Sequence, residues 1–170
     1  VVVCEGLKHI QSNFAEAECS VMLGVPLIFE NMHRKVWKQA EKSGSLSKLQ
    51  RGIALSKKMK FQNHPRATRK MFRTIHELFG KNHYMFIAGG AAIDPAVIDD
   101  FEAMGFPMFQ GYGMTECAPI IAMNSDRYRK SAAAGKPLPG TEVRIVDENE
   151  EGIGEIIAKG PSVMQGYYKD

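Results

Sequence analysis

The spacing of apolar residues changes period several times along this chain, and each change marks an element. Val1 to Cys4 reads as a strand, Leu7, Ile10 and Phe14 recur as one helix face, and Ser20 to Gly24 reads as a buried strand, so the chain opens as β-α-β. Pro26 then starts a helix in which Ile28, Met32, Val36 and Ala40 repeat every four residues until Ser43 and Gly44 end it. A second helix is predicted over Leu46 to Phe61. A third is marked by Met71, Phe72, Ile75, Leu78 and Phe79 and closed by Gly80. Residues 26 to 80 therefore form a helical insert.

The segment from Tyr84 to Glu116 has a different rhythm. Tyr84, Met85, Phe86, Ile87 and Ala88 are a short apolar run of the length and composition of a buried strand. Gly89 and Gly90 follow it and allow close approach of the backbone to a ligand. Asp94 before Pro95 is a strong helix start, Ile98, Phe101 and Met104 keep helical spacing, and Gly105 stops the helix. Pro107 to Gln110 is predicted to return as a parallel neighbouring strand by a right-handed connection, with Gly111 to Glu116 as its loop. Two glycine loops at the carboxyl ends of parallel strands would share the sheet edge where open α/β sheets bind ligands.

After Asn124 the chain becomes polar and turn-rich, and the Lys136 to Gly140 stretch reads as a hinge between subdomains. Glu142 to Asp147 alternates as a half-buried strand, the acidic residues 147 to 152 turn, and Ile153 to Lys159 returns. The expected class is α/β: a partial parallel sheet flanked by helices, followed by the start of a β-rich subdomain. The division predicted is 1–130 for the α/β portion and 131–170 for the second part.

The residue types of the second loop suggest a nucleotide. Gly111 and Gly113 bracket Tyr112, which would present an aromatic face to something flat. Thr115 offers a neutral hydroxyl to a phosphate oxygen. Glu116 offers a hard carboxylate to Mg²⁺, an ion that uses one or two carboxylates and takes its other ligands from substrate phosphates and water. A tight turn with a capping Thr is the plain alternative for the same residues.

Composition narrows the classes further. With 44% hydrophobic and 24% charged residues the chain is ordinary globular material, and no apolar run approaches the roughly 20 residues needed to cross a bilayer. Cys4, Cys19 and Cys117 have no metal-ligand spacing, so zinc is not expected, a reducing compartment fits, and Cys117 is read as a packing residue. The five histidines, His9, His33, His64, His76 and His83, are scattered, none is assigned as a catalytic base, and His76 is read as packing or solvent-facing. The net charge is only +3, yet residues 34 to 73 hold 13 Lys and Arg against the single acidic Glu41. This basic patch is expected to meet solvent or an anionic membrane surface; no recognition motif points to nucleic acid.

Four segments in order carry a resemblance: residues 87–97 (IAGGAAIDPAV), 110–119 (QGYGMTECAP), 133–147 (AAGKPLPGTEVRIVD) and 154–170 (GEIIAKGPSVMQGYYKD). They resemble the AMP-forming acyl-CoA synthetases of the adenylate-forming superfamily, and residues 1 to 39 look like the long-chain fatty acyl branch. The resemblance implies ligation of a fatty acid to coenzyme A through an acyl-adenylate, with ATP, Mg²⁺ and coenzyme A. It implies that Gly89, Gly90 and Ala91 line the adenine and acyl group, and that Gln110, Gly111 and Tyr112 form the adenine pocket. Gly113 and Met114 complete the nucleotide-binding set, Thr115 binds phosphate, and Glu116 binds magnesium.

The family's Ser/Thr/Gly-rich loop with its lysine, its ribose-binding aspartate and its small C-terminal domain have no counterpart in these residues, and Asp170 is not that ribose ligand. The chain is therefore expected to be an internal piece of a cytoplasmic enzyme, peripherally membrane-associated at most, and inactive alone. An aryl-acid ligase, a peptide-synthetase adenylation domain, or a non-catalytic module binding membrane or a partner are the alternatives.

Overall fold

The computed structural model describes residues 3, 5–6, 9–59, 64–80, 82 and 84–169. Cys4, Leu7, Phe61, His83 and Asp170, and most of the strand expected at residues 1 to 4, lie outside them. The chain divides into two compact units, Val1–Phe109 and Gln110–Asp170.

In the first unit, helix α1 (Ile10–Glu16) precedes strand β1 (Val21–Gly24). Helix α2 (Pro26–Lys42) begins with Pro at its first turn, where a missing N–H costs nothing; of its four-residue repeat Val36 and Ala40 are buried and Ile28 and Met32 half-buried, while Phe29 is buried outside the repeat. Helix α3 (Leu46–Met59) buries Leu49, Ile53 and Ser56. The third predicted helix is two: α4 (Pro65–Met71) and α5 (Arg73–Leu78), broken at Phe72 with φ −107° and ψ 31°. The break turns Phe72, His76 and Phe79 inward, and Met71 and Leu78, expected on the apolar face, remain exposed.

Strand β2 (Met85–Ala88) pairs in parallel with β1, Val21 opposite Met85 and Gly24 opposite Ala88. Helix α6 (Pro95–Ala103) starts as predicted: the Asp94 side chain accepts from the Ala96 amide at 2.8 Å, satisfying an otherwise unpaired helix N–H. Gly105 ends it at φ +90°, and a Cβ there would stand 2.9 Å from the Thr68 Cβ, so both conformation and close packing require glycine. The strand predicted at 107–110 forms as β3 (Met108–Gly113), and just before it the Phe86 amide donates to the Pro107 carbonyl at 2.9 Å.

The core of this unit is aromatic. Phe29, Phe86, Phe101 and Phe106 are fully buried, with ring centroids 5.1 Å apart for Phe86 and Phe101 and 5.3 Å for Phe29 and Phe86, in the tilted and edge-on geometries that aromatic quadrupoles favour. Polar contacts fix the helices over it. The Ser56 hydroxyl donates to the Ala103 carbonyl at 2.7 Å, occupying one of the acceptors left at the end of α6. Asp100 of α6 receives His33 of α2 at 2.9 Å and Lys57 of α3 at 2.8 Å. His76 is buried rather than solvent-facing, stacked on Phe106 with centroids 4.0 Å apart, and its Nε2 donates to the Met104 carbonyl at 2.9 Å.

One strand departs from expectation. Strand β1 was predicted buried, but Leu23 is 74% exposed and Val21 38%; among the described residues β1 stands at the end of the strand order, beside β2.

In the second unit β3 pairs antiparallel with β4 (Ile120–Met123), which pairs antiparallel with the short β5 (Lys136–Pro137). With β3 shared, the strand order of this mixed sheet is β1-β2-β3-β4-β5. The stretch read as a hinge is thus partly sheet. Strands β6 (Glu142–Val146) and β7 (Glu155–Lys159) form the predicted antiparallel hairpin, with Glu142 opposite Lys159 and Val146 opposite Glu155.

Candidate active site

The first glycine loop belongs to the first unit. Strands β1 and β2 end together at Gly24 and Ala88, and the Gly89 amide donates to the Gly24 carbonyl at 3.2 Å, so the loop leaves from the carboxyl ends of two parallel strands. Gly90 has φ +88°, a conformation that L side chains rarely adopt. A Cβ on Gly89 would meet nothing within 4 Å, and one on Gly90 only the Val25 side chain at 3.9 Å. Ala91 is exposed. The space beside the Cα atoms of Gly89 and Gly90 is therefore open.

The remaining candidates belong to the second unit, and here the expected loop is corrected. Gly111, Tyr112 and Gly113 are the end of β3, paired with Met123, Ala122 and Ile120, with an irregularity between Tyr112 and Gly113. Both glycines lie in a paired strand rather than a flexible turn, and only at Gly113 does the pairing leave no room for a Cβ. A Cβ on Gly113 would fall 1.8 Å from the Pro119 carbonyl oxygen and 2.8 Å from the Ile120 Cα, both backbone atoms that cannot swing away. Tyr112 between them is half-buried.

Gln110 is buried, and its Nε2 donates to the carbonyls of Ser131 at 3.0 Å and Ala133 at 2.8 Å. Asn124, also buried, joins it: Nδ2 donates to the same Ala133 carbonyl at 2.9 Å, and Oδ1 accepts from the Lys130 amide at 3.3 Å. Two amide side chains thus hold residues 130 to 133 beside β3 and β4.

Met114 and Thr115 are exposed, and Thr115–Cys117 forms one 3-10 turn, closed by Ala118 at φ +54°. Cys117 is buried, in keeping with a packing role. Glu116 is held twice. Its carbonyl accepts from the Met164 amide at 2.8 Å, and its Oε1 accepts from the Tyr167 hydroxyl at 2.5 Å. The hydrogen bond from Tyr167 holds the Glu116 carboxyl below the usual carboxylate range, and the same bond raises the Tyr167 hydroxyl. Glu116 is accordingly a charged, oriented carboxylate at neutral pH, one residue after an exposed hydroxyl. Tyr167 carries no role in the sequence reading, although it lies inside a motif quoted there; 51 residues separate it from Glu116.

Among the described residues no group of three or more His, Cys, Asp or Glu gathers to cage a metal ion. A single anionic oxygen donor with an adjacent hydroxyl suits Mg²⁺ delivered with phosphates, which bring most of its ligands, and does not suit a protein-enclosed zinc or calcium ion.

The AMP-binding enzyme family matches residues 2–168, and the chain belongs to that family. It is 30% identical over 159 residues to long-chain-fatty-acid–CoA ligase 6 of Rattus norvegicus, covering 86% of this chain and 22% of that protein. It is 40% identical over 88 residues to a 2-succinylbenzoate–CoA ligase of Enterococcus faecalis, covering 48% of this chain and 18% of that one. The chain thus spans about a fifth of the length of these relatives. Solved structures share the fold: a benzoate CoA ligase from Burkholderia xenovorans superposes with a TM-score of 0.62 at 19% identity over 99% of this chain and 28% of that one. A long-chain-fatty-acid-CoA ligase from Archaeoglobus fulgidus gives 0.57 at 18% identity over 97% and 29%.

Proposed function

We propose that the protein is an AMP-forming long-chain fatty acid–CoA ligase, which activates a fatty acid with ATP and passes the acyl group to coenzyme A. The observation that carries this reading is the oriented, ionised Glu116 directly after the exposed Thr115, in a chain of the AMP-binding enzyme family. Bound Mg²⁺ would supply charge neutralisation at the phosphates, with Glu116 as its protein ligand.

The chain's own residues have the following roles in this reading. Thr115 donates its hydroxyl to a phosphate oxygen. In the second unit Tyr112 offers its ring to the adenine, with Gly111, Gly113 and Met114 shaping its surroundings; in the first, the backbone of Gly89, Gly90 and Ala91 is assigned to the adenine and acyl group. Gln110 acts at one remove, since its amide hydrogens are committed to Ser131 and Ala133. The fatty carboxylate attacks the α-phosphorus, pyrophosphate leaves, and the coenzyme A thiol then displaces AMP, so no covalent enzyme intermediate is needed.

The second reading, an aryl-acid ligase, is favoured by the 40% identical segment shared with the 2-succinylbenzoate–CoA ligase. Pyrophosphate exchange by the full-length protein over a panel of fatty, aryl and amino acids separates them. Exchange with long-chain fatty acids is expected; exchange confined to aryl acids selects the second reading, and exchange with none of them removes both.

A further inference from the structure

The outer side of α3 holds Lys48, Arg51, Leu55, Lys58 and Met59, spaced so that each lies three or four residues from another and all fall on one side of the helix. The opposite side carries the buried Leu49, Ile53 and Ser56. All five outward residues are exposed, and two of them are apolar: Leu55 is 47% exposed and Met59 53%. The end of α4 continues this surface, because the Met71 sulfur lies 3.9 Å from where a Cβ on Gly52 of α3 would stand. Met71 is itself 37% exposed, and Arg66, Arg69, Lys70 and Arg73 around it are exposed as well. From residue 34 to 73 the only acidic side chain is Glu41, which is on α2. The result is an apolar seam of Leu55, Met59 and Met71 bordered by cations.

We infer that this face of α3 and α4 docks on an anionic lipid bilayer surface, the basic side chains meeting phospholipid headgroups while Leu55, Met59 and Met71 enter the headgroup and acyl boundary. Charge alone would suit any polyanion. The apolar seam selects lipid, because exposed aliphatic side chains gain by leaving water at a bilayer interface and gain nothing against a phosphate backbone. No aromatic side chain is exposed on α3 or α4 to stack on bases, since their sequences contain none. The inference is independent of which acid the protein activates.

The test is flotation of the protein with vesicles of phosphatidylcholine containing about 30% phosphatidylserine, beside vesicles of phosphatidylcholine alone. Binding to the anionic vesicles is expected, weakening as salt rises to about 0.5 M, where the screening length falls to a few ångströms. Each basic residue near such a surface is worth a factor of about 5 in affinity, so Lys48→Gln/Arg51→Gln/Lys58→Gln should lose on the order of 100-fold. Leu55→Ser/Met59→Ser should lower affinity while leaving the salt dependence in place. Both variants change exposed positions only, and circular dichroism confirms that they fold. Equal binding to neutral vesicles, unchanged affinity of the triple variant, or retention by RNA with no binding to anionic vesicles would each overturn the inference.

Discussion

The two amides of Gln110 and Asn124 converge on one carbonyl, and this makes their energetics unequal to the sum of their parts. Gln110→Met keeps the side chain's length and removes both of its donated bonds, to Ser131 and Ala133. The Ala133 carbonyl keeps its bond from Asn124 while the Ser131 carbonyl loses its donor, and both residues are half-buried, so water can partly replace a lost partner at either. The cost should therefore be that of ordinary hydrogen bonds and not of a stranded acceptor, about 1 to 2 kcal/mol. Asn124→Ala also leaves Ala133 one partner but loses the contact with the Lys130 amide, about 2 kcal/mol. In the double variant the half-buried Ala133 carbonyl loses both side-chain donors at once, and the part of its desolvation penalty that water does not relieve now appears. The pair should therefore exceed additivity by about 1 kcal/mol. Urea unfolding of the four proteins, with m-values compared, measures the cycle. Additivity within about 0.3 kcal/mol, or a Gln110→Met protein as stable as the parent, would refute the shared-acceptor argument.

Three other outcomes follow from single positions. Gly113→Ala should cost about 3 kcal/mol or more and disrupt the β3–β4 pairing, since its Cβ would collide with the Pro119 carbonyl; thermal unfolding of a normal protein would show that the strand can shift. For Asp100, burial raises the carboxyl pKa but the hydrogen bonds from His33 and Lys57 lower it further, leaving it below the ordinary value of 3.8. Its stabilisation is thus fully present above the unfolded carboxyl pKa and lost as pH falls from there through the lower folded value; Asp100→Asn should flatten that acid limb in a pH series of denaturation midpoints. Glu116→Gln in the full-length protein should lower fatty-acid-dependent pyrophosphate exchange by about 100-fold or more with little change in unfolding midpoint, and near-parental exchange would remove Glu116 from the proposed mechanism.

What the sequence discloses about this fold is what is encoded locally. Asp94 and Pro95 announce α6 because capping needs only neighbouring residues, and the acidic turn between β6 and β7 does so for the same reason. Phe72 is different: the apolar spacing from Met71 to Phe79 fits one helix, and only the packing of Phe72 on Gly52 and of His76 on Phe106 shows that the helix must break. Gly111 and Gly113 fail similarly. Both lie in a strand, not a loop, and at Gly113 a Cβ is forbidden by Pro119 and Ile120, whose position no local pattern gives, while Gly111 has room for one. Nor does the apolar run of β1 contain its place at the end of the strand order among the described residues.

The candidate site repeats this division at the level of chemistry. Residue types alone make Thr115 and Glu116 candidates for phosphate and magnesium, because a neutral hydroxyl and a hard carboxylate match those ligands, although a capping turn uses the same residue types. The sequence does not say what would keep that carboxylate aimed. Glu116 is on a three-residue 3-10 turn, which by itself leaves its side chain free to rotate. The Met164 amide fixes its backbone and the Tyr167 hydroxyl fixes one oxygen, both from a segment about 50 residues further along. In the proposed reaction such bonds matter more than their contribution to folding would suggest. A carboxylate already ordered and ionised before substrate arrives does not have to be reorganised as charge develops at the phosphates, and that preorganisation is where electrostatic catalysis gains most. The residues 160 to 168 would then belong to the site by position though none of their side chains was chosen for it by chemical type.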